Sequence, residues 1–280
     1  MSATAIAEKP TKVFVYRHTV LIRITHWINV VAITFLVMSG LQIFNAHATL
    51  YWGSKSEPDR AILSMRAVQR EDGSYSGLTT IGSHTFDTTG VLGLSGSGED
   101  LESRGFPAWI TLPSYRDLAT GRRWHFFFAW LFVLNGLGYL AYSLWSGHVR
   151  RDLAPTRGEL EHIGTSISEH IRFRFPKGEE AKRYNVLQKL AYLAVIFGLL
   201  PLVVLSGLTM SPGLDSAFPF LLDLFGGRQS ARTVHFLCAT GIVLFVLVHV
   251  FMVFVSGLWN NLRSMITGRY EIDTPEGGHG

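Results

Sequence analysis

The sequence has very little charge for its length. Only 16% of its 280 residues are Asp, Glu, Lys or Arg, whereas 48% are hydrophobic. Soluble domains have about 25% charged residues, so this chain has too few charged side chains to cover a surface in water. Its net charge of +4 comes from basic residues that lie between long apolar runs. We therefore expect an integral membrane protein that contacts lipid and binds no nucleic acid.

Cysteine is nearly absent, and so is any sign of a cleaved leader. Cys238 is the single cysteine, and no C-x-x-C-H motif occurs. One thiol excludes a disulfide framework within the chain, a four-cysteine cluster and a zinc ribbon, and the missing motif excludes covalently attached c-type haem. The first 18 residues contain no apolar core before a small-residue cleavage site. We therefore expect the first apolar run to stay in the protein.

Four apolar runs are long enough to cross a bilayer, which takes about 20 residues of α-helix. The predicted spans cover residues 20–46, 124–145, 187–210 and 234–259. They predict an all-α fold: an integral membrane four-helix bundle in which residues 1–280 form a single membrane domain. A shorter run, residues 214–225, contains Pro219 and Asp223 and is expected to lie at the membrane interface.

Basic residues in short loops predict the orientation of the spans. They concentrate in the loop of residues 146–186, near the N-terminus and in the C-terminal tail, whereas the turn between the last two spans has only Arg228 before the last helix approaches at Arg232. We therefore expect both termini and the 146–186 loop to be cytoplasmic, in a bacterial inner membrane. Residues 47–123 form a long insertion on the outer side, and their many Gly and Ser residues suggest loops and short turns.

The spans contain almost no Asp, Glu or Lys, yet they contain four histidines: His26, His125, His235 and His249. Ionisable side chains inside a bilayer are costly and usually functional. His235 and His249 are 14 residues apart in one span, which separates them by about 21 Å along a helix but by only about 40° around it. One helix therefore offers two ligands on one face, at two depths.

The predicted topology places these histidines in two pairs. His125 is level with His235 in the outer half, and His26 lies in the inner half with His249, although this second match in depth is looser. Such pairs suit the axial ligation of two haem groups. Two pairs so far apart give zinc or copper too few ligands each, whereas haem has four nitrogens of its own. His47 and His148 lie at span ends and are possible competitors for the outer and inner haem.

Arginines near these histidines are candidate partners for haem propionates. They are Arg23, Arg122, Arg123, Arg228 and Arg232. Each of them is equally well explained as an arginine that extends to the membrane interface. Glycines in the spans would let a flat macrocycle approach, but close helix packing explains them just as well. They are Gly40, Gly136, Gly198, Gly207 and Gly241.

At these residues the chain resembles a known family, the cytochrome b subunits of membrane-bound formate dehydrogenases and nickel–iron hydrogenases, with related cytochromes of molybdopterin oxidoreductases and thiosulfate reductases. The similar segments are R-I-T-H-W (residues 23–27), R-R-W-H (122–125), R-Y-N-V-L-Q-K (183–189), L-S-G-L-T-M-S-P (205–212) and H-x13-H in the last span. Their order along the chain is more specific than any one of them. The resemblance covers the four helices, roughly two-thirds of the chain.

The resemblance implies a dihaem cytochrome b. In that family the fourth span supplies one ligand to each haem b, the first span completes the cytoplasmic haem and the second completes the outer one. The family also binds quinone near the cytoplasmic haem, at the start of the third span, which makes Asn185 and Gln188 candidates for a hydrogen bond to a quinone oxygen. Helix capping by Asn185 is an equally good explanation. The long outer insertion departs from the compact family members and leaves open which catalytic subunit docks there.

The expected function is transmembrane electron transfer between quinone and a periplasmic redox subunit, a molybdopterin or iron–sulfur protein. One alternative is a stand-alone cytochrome that reacts directly with a small species such as superoxide at the outer haem. Another is a transporter that uses the histidines as a relay. The scarcity of Asp and Glu in the spans and the lack of an inverted repeat argue against the transporter.

Overall fold

The computed structural model describes residues 11–96, 98, 101–172 and 185–274. The helices in this part of the chain are α1 Val20–Phe44, α2 Leu118–Trp145, α3 Arg157–Glu161, α4 Ile163–Ile171, α5 Val186–Ala194, α6 Leu200–Leu208, α7 Pro212–Ala217, α8 Phe220–Phe225, α9 Arg228–Val255 and α10 Leu258–Thr267. The strands are β1 Thr11–Tyr16, β2 Thr49–Leu50, β3 Leu63–Gln69, β4 Tyr75–Ile81, β5 His84–Asp87, β6 Gly93–Ser95, β7 Glu102–Arg104 and β8 Arg269–Thr274.

Four helical segments of the described chain are long and apolar enough to cross a membrane. They are Val20–Phe44, Leu118–Trp145, Val186–Leu208 and Arg228–Val255, with mean hydropathies of 1.9, 1.5, 2.3 and 2.6. Large apolar side chains on them, such as Phe127, Leu134 and Leu247, remain more than half exposed. Such surfaces are stable in lipid and not in water, so this is a membrane protein.

The third of these segments is not one regular α-helix. Between α5 and α6 the backbone forms a π-helical turn, Val195–Leu199, and Pro201 occupies the first turn of α6. Proline has no N–H, and its ring clashes with the carbonyl four residues earlier. A local π-helical adjustment is a common way to relieve such a clash within a continuous span.

Contacts divide the chain into two compact units. The insertion unit comprises residues 28–135 and 197–243, and the terminal unit comprises residues 1–27, 136–196 and 244–280. In the insertion unit, Ala32, Phe128 and Phe132 form a buried core. Leu36 of α1 and Val204 of α6 pack against it. This packing holds α1, α2 and α6 together in the unit that contains His125 and His235.

The expected all-α class is incomplete, because the insertion contains β-structure. Strands β2, β3, β4 and β5 form an antiparallel sheet in that order, and β6 pairs with β7. Asp72-Gly73 lies in the turn between β3 and β4, with a positive φ at Gly73, and Gly82-Ser83 connects β4 to β5. Short turns of these types favour β-hairpins. The expectation of loops and short turns was therefore wrong for these residues.

The insertion is attached to the N-terminus of α9 by hydrogen bonds of backbone and side-chain groups. The Gly53 carbonyl accepts from the backbone N–H of Gln229 at 3.0 Å and of Ser230 at 3.1 Å. Ser230 Oγ accepts from Gly53 N–H at 2.7 Å, and Thr233 Oγ1 donates to the Tyr51 carbonyl at 2.7 Å. The two bonds to the Gly53 carbonyl satisfy N–H groups in the first turn of α9, which have no partner within the helix. A Cβ atom at Gly227 would lie 2.7 Å from the Gly53 carbonyl oxygen, so this close approach requires glycine.

A buried arginine attaches the insertion to α1. The side chain of Arg104 is fully buried and pairs with Glu102 at 2.8 Å. It also donates to Gln42 Oε1 at 3.0 Å, to Thr111 Oγ1 at 2.9 Å and to the Ser114 carbonyl at 2.9 Å. Because Gln42 belongs to α1, the guanidinium joins the insertion to the helix.

In the terminal unit, the two ends of the described chain pair as strands. Strands β1 and β8 are antiparallel, and Glu271 of β8 pairs with Lys12 at 2.6 Å and with Arg263 of α10 at 2.6 Å. Hydrogen bonds from these two side chains lower the pKa of the Glu271 carboxyl. The sheet is a second departure from the all-α expectation. The run of residues 214–225 forms the short helices α7 and α8, interrupted at Phe218 and Pro219.

Candidate haem-binding histidine pairs

The insertion unit brings His125 of α2 and His235 of α9 close together. Their ring centroids are 6.2 Å apart, and the ring planes are inclined by 64°. His125 Nδ1 lies 3.2 Å from the Leu36 carbonyl oxygen, and His235 Nδ1 lies 2.8 Å from the Val203 carbonyl oxygen. A carbonyl can only accept, so Nδ1 carries the proton in each ring. The unprotonated Nε2 of each histidine is therefore available to bind a metal.

A serine–glycine pair lies beside each of these rings. Ser39 Oγ is 3.1 Å from His125 Nδ1, and Ser206 Oγ is 3.4 Å from His235 Nδ1. A Cβ atom on the following glycine, Gly40 or Gly207, would lie 3.3 Å or 3.2 Å from Cε1 of the same ring. The sequence left two explanations for these glycines, the approach of a macrocycle and close helix packing. In the structure Gly40 and Gly207 lie against the histidine rings. The repeated S-G-L in the first and third spans was the sequence signal for this feature.

The terminal unit contains the second pair, His26 of α1 and His249 of α9. Their ring centroids are 6.3 Å apart, with planes inclined by 57°. The ring of Phe245 stacks on His249 at 5.9 Å, and the ring of Trp27 meets His26 edge-on at 5.4 Å. His26 Nδ1 is buried and has no hydrogen-bond partner among the described residues.

Both separations fit a metal held between two imidazoles. Metal–imidazole bonds are about 2.0 Å long, and each ring centroid lies about 1.1 Å behind its nitrogen, so collinear ligation places the centroids about 6.2 Å apart. The observed values are 6.2 Å and 6.3 Å. In the described part of the chain, no cluster of three or more His, Cys, Asp or Glu side chains can hold a metal ion. Two ligands are too few for zinc but enough for haem, which supplies four nitrogens of its own.

The arginines considered as propionate partners have diverse contacts. Arg23 donates to the Ile266 carbonyl of α10. Arg232 donates to the carbonyl oxygens of Thr49, at 2.7 Å, and of His47. Arg123 donates to Thr120 Oγ1 at 3.0 Å.

Arg123 and His125 project from different faces of α2. The two residues are two positions apart, so their side chains diverge by about 160° around the helix. Arg123 instead lines a shallow hollow of about 420 Å³ with Thr120, Trp124 and Phe127. Arg228 forms an ion pair with Asp215.

The histidines considered as competitors have other partners. The ring of His47 stacks on Tyr51 at 5.8 Å, and His148 Nδ1 lies 2.6 Å from an Asp152 carboxylate oxygen. Burial, with a smaller contribution from Arg232, lowers the pKa of His47. Burial also lowers the pKa of His18 to about 4, helped by the positive charge of Arg17.

The candidate quinone residues, Asn185 and Gln188, form a capping box at the start of α5. Asn185 Oδ1 accepts from Leu187 N–H at 2.9 Å, and Gln188 Oε1 accepts from Asn185 N–H at 3.1 Å. The side-chain oxygens of Asn185 and Gln188 thus cap the helix, as the capping explanation predicts. Their side-chain amide N–H groups are the atoms with which these residues can bind a ligand. The residue after Gln188, buried Lys189, pairs with Glu159 at 2.7 Å. Burial raises the pKa of Glu159, but hydrogen bonds from Lys189 and Thr156 outweigh this effect and lower it. Residues 183 and 184 of the R-Y-N-V-L-Q-K segment lie outside the described residues.

Comparison with known proteins identifies the family. Residues 74–268 match the family described as prokaryotic cytochrome b561, a range that includes His125, His235 and His249. A curated relative from Azospira oryzae, described as putative protein-methionine-sulfoxide reductase subunit YedZ1, is 28% identical over 236 residues, which cover 84% of this chain and 89% of the relative. No solved structure matches the chain. The chain belongs to the prokaryotic cytochrome b561 family, and it is a membrane b-type cytochrome that binds haem b and transfers electrons across the membrane.

Proposed function

We propose that this cytochrome binds two haem b groups and connects quinone at the cytoplasmic side of a bacterial inner membrane with a redox subunit in the periplasm. His125 and His235 would hold one haem, and His26 and His249 the other. The observation that carries this proposal is that both pairs have the ring separation expected for one metal between two imidazoles, 6.2 Å and 6.3 Å. The proposed arrangement is a four-helix bundle with its ligands on α1, α2 and α9.

The protein's own residues supply position and environment. Bound haem b supplies reversible one-electron chemistry. His125 and His235 offer Nε2 because their Nδ1 protons are held by the carbonyl groups of Leu36 and Val203. The apolar side chains of α1, α2 and α9 exclude water, which keeps the local dielectric low.

The proposed orientation places both termini in the cytoplasm and the insertion in the periplasm. The distribution of Lys and Arg in the short loops supports it. The insertion then becomes the surface on which a periplasmic subunit docks, next to the His125–His235 pair of the same unit. A relative described as a methionine-sulfoxide reductase subunit supports a reductase as that partner, of the molybdopterin or iron–sulfur class. Electrons would then flow from quinol outwards.

The test of this function is a haem count followed by reduction with quinol. Detergent-purified protein should contain two haems b per chain by pyridine haemochrome. In sealed vesicles, a short-chain quinol should reduce both haems, and a membrane-impermeant oxidant on the insertion side should reoxidise them. In membranes that contain the partner, methionine sulfoxide should also reoxidise the haems.

Other results would favour other functions. A folded but colourless protein would contradict the cytochrome and favour a histidine-relay transporter. One haem per chain would contradict the second site. Rapid reaction of the isolated chain with superoxide, with no co-purifying subunit, would favour the stand-alone cytochrome.

The proposed quinone site begins at α5, where Asn185 and Gln188 would donate amide N–H groups to a quinone oxygen. We expect Asn185→Ser to lower the rate of quinol oxidation about tenfold, the effect of losing one hydrogen bond worth about 1.4 kcal/mol. Serine is as good an N-cap residue as asparagine, so α5 should stay intact, as helicity by circular dichroism will report. Full activity in Asn185→Ser, with a loss only in Asn185→Ala, would mean that Asn185 caps the helix and does not bind quinone.

A further inference from the structure

We infer that Ser39 and Ser206 are positioning residues that fix the orientation and the ligand strength of His125 and His235. This inference rests on the proposed binding of haem b between the two histidines. Both hydroxyl groups belong to fully buried serines, each 0% exposed. Bulk water therefore does not reach these hydroxyl groups, and their hydrogen-bond partners have to lie within the protein.

Each serine hydroxyl has its proton engaged and its oxygen free to accept. Ser39 O–H donates to the Phe35 carbonyl at 2.6 Å, and Ser206 O–H donates to the Leu202 carbonyl at 2.5 Å. The oxygen lone pairs then face a histidine Nδ1–H, at 3.1 Å for His125 and 3.4 Å for His235. Each Nδ1–H is consequently shared between a hydroxyl oxygen and the backbone carbonyl three residues before the serine.

The same device occurs twice in one unit. Ser39-Gly40 of α1 acts on His125 of α2, and Ser206-Gly207 of α6 acts on a histidine of α9. In both copies the glycine leaves space for the ring, because an added Cβ would approach Cε1 to 3.3 Å or 3.2 Å. Two separate helices, α1 and α6, thus contain the same S-G-L motif, and in each the serine and glycine contact a histidine of another helix. His26 of the other pair has no such contact among the described residues, since its Nδ1 has no partner.

Sharing the Nδ1 proton has a redox consequence. A hydrogen bond from Nδ1–H to an oxygen makes the imidazole a stronger base and fixes its rotation. A more basic ligand stabilises the oxidised, more positive metal. Loss of the hydroxyl should therefore raise the reduction potential of the haem between His125 and His235 and weaken its retention.

The two serines should differ in the size of this effect. The hydroxyl contact of His125 is as short as its carbonyl contact, 3.1 Å against 3.2 Å. His235 depends mainly on its carbonyl, at 2.8 Å against 3.4 Å to the hydroxyl. Ser39→Ala should consequently change the site more than Ser206→Ala.

The experiment is a spectroscopic redox titration of holoprotein carrying Ser39→Ala or Ser206→Ala. For Ser39→Ala we expect the reduction equilibrium of one haem to shift about tenfold in favour of the ferrous form, which is 59 mV for one electron. The rate of haem transfer to apomyoglobin should rise about tenfold for the same haem. The other haem should be unchanged and is an internal reference. Thr34→Val is the matched control, because Thr34 Oγ1 also donates to a carbonyl of α1, at 2.8 Å, but is exposed.

Several outcomes would overturn the inference. Unchanged potentials in both serine variants would do so, as would equal shifts of both haems or a shift in Thr34→Val as large as that in Ser39→Ala. If Ser39→Ala assembles poorly, the smaller shift expected for Ser206→Ala still decides the matter. Failure of the proposed function is distinguishable, because the unaltered protein would then lack haem at these histidines.

Discussion

Replacing His235 with alanine is expected to leave the protein with one haem b per chain instead of two. The imidazole of His235 faces that of His125 with ring centroids 6.2 Å apart, and among the described residues no third histidine ring contacts this pair. A haem that keeps a single protein ligand loses most of its affinity, whereas the His26–His249 pair lies in the other unit. The measurement is the pyridine haemochrome count together with the low-temperature α-band of the reduced protein, in which one of two components should disappear.

The complementary variant is His26→Ala, which should remove the other α-band component and leave the first. His47→Ala and His148→Ala are the controls, because the imidazoles of these residues contact Tyr51 and Asp152. Both should retain two haems. Loss of both haems in folded His235→Ala protein, or loss of one in His47→Ala, would show that the pairing is wrong.

Replacing Arg104 with leucine is expected to destabilise the insertion by about 3 kcal/mol, in the range for breaking a buried ion pair. The guanidinium is fully buried, and its loss leaves Gln42 Oε1 and the Ser114 carbonyl without their donor. We place the effect at the low end of the range because Glu102 is 38% exposed and can be solvated by water. Hydrogen exchange of the insertion amides should report the change, with faster exchange in residues 102–115 than in the spanning helices.

Arg116→Leu is the matched control. Arg116 pairs with the same carboxylate, Glu102, at 3.0 Å, but its side chain is 57% exposed. Exposed ion pairs contribute about 1 kcal/mol or less, so exchange should change little. Equal effects of the two variants would mean that the carboxylate, rather than the buried guanidinium, holds the insertion in place.

The four spans were predictable because the hydrocarbon core imposes a length and a composition on each helix. Their ends were predicted less well. Helix α2 begins at Leu118 and α9 at Arg228, several residues before the apolar runs at 124 and 234. The first two turns of α2 contain Arg122 and Arg123, and α9 begins at Arg228; a search for apolar residues excludes such positions. Asp117, whose carboxylate accepts from Thr120 N–H at 2.9 Å, was the capping signal for the true start of α2.

The strands of the insertion were missed for a different physical reason. Strand β4, Y-S-G-L-T-T-I, has small and hydroxylated residues where an alternating strand would have apolar ones. Its burial comes from neighbours: a Cβ atom at Gly77 would lie 2.7 Å from Leu94 N. Such close packing between β4 and β6 depends on contacts distant in sequence, which periodicity does not reveal.

The histidines of the candidate site could be proposed from the sequence because imidazoles stand out in an apolar span. The groups that hold them were not, since Leu36 and Val203 act through backbone carbonyls that every residue has. The serines were overlooked because a serine in a helix usually bonds to its own backbone. Ser39 does this too, and only the position of His125 on the adjacent helix gives its oxygen a second role.

The attachments of the insertion have a consequence for how it can vary. Residues 49–53 bond directly to α9 and residues 104–114 to α1. The Asp72-Gly73 hairpin turn, in contrast, lies at the end of β3 and β4 that is opposite to the pairing of β3 with β2, and residues 69–75 are exposed. Lengthening, shortening or tagging that turn should leave the membrane helices undisturbed. We therefore expect this hairpin to tolerate changes of length and sequence that residues 49–53 and 104–114, which hold the insertion against the helices, do not tolerate.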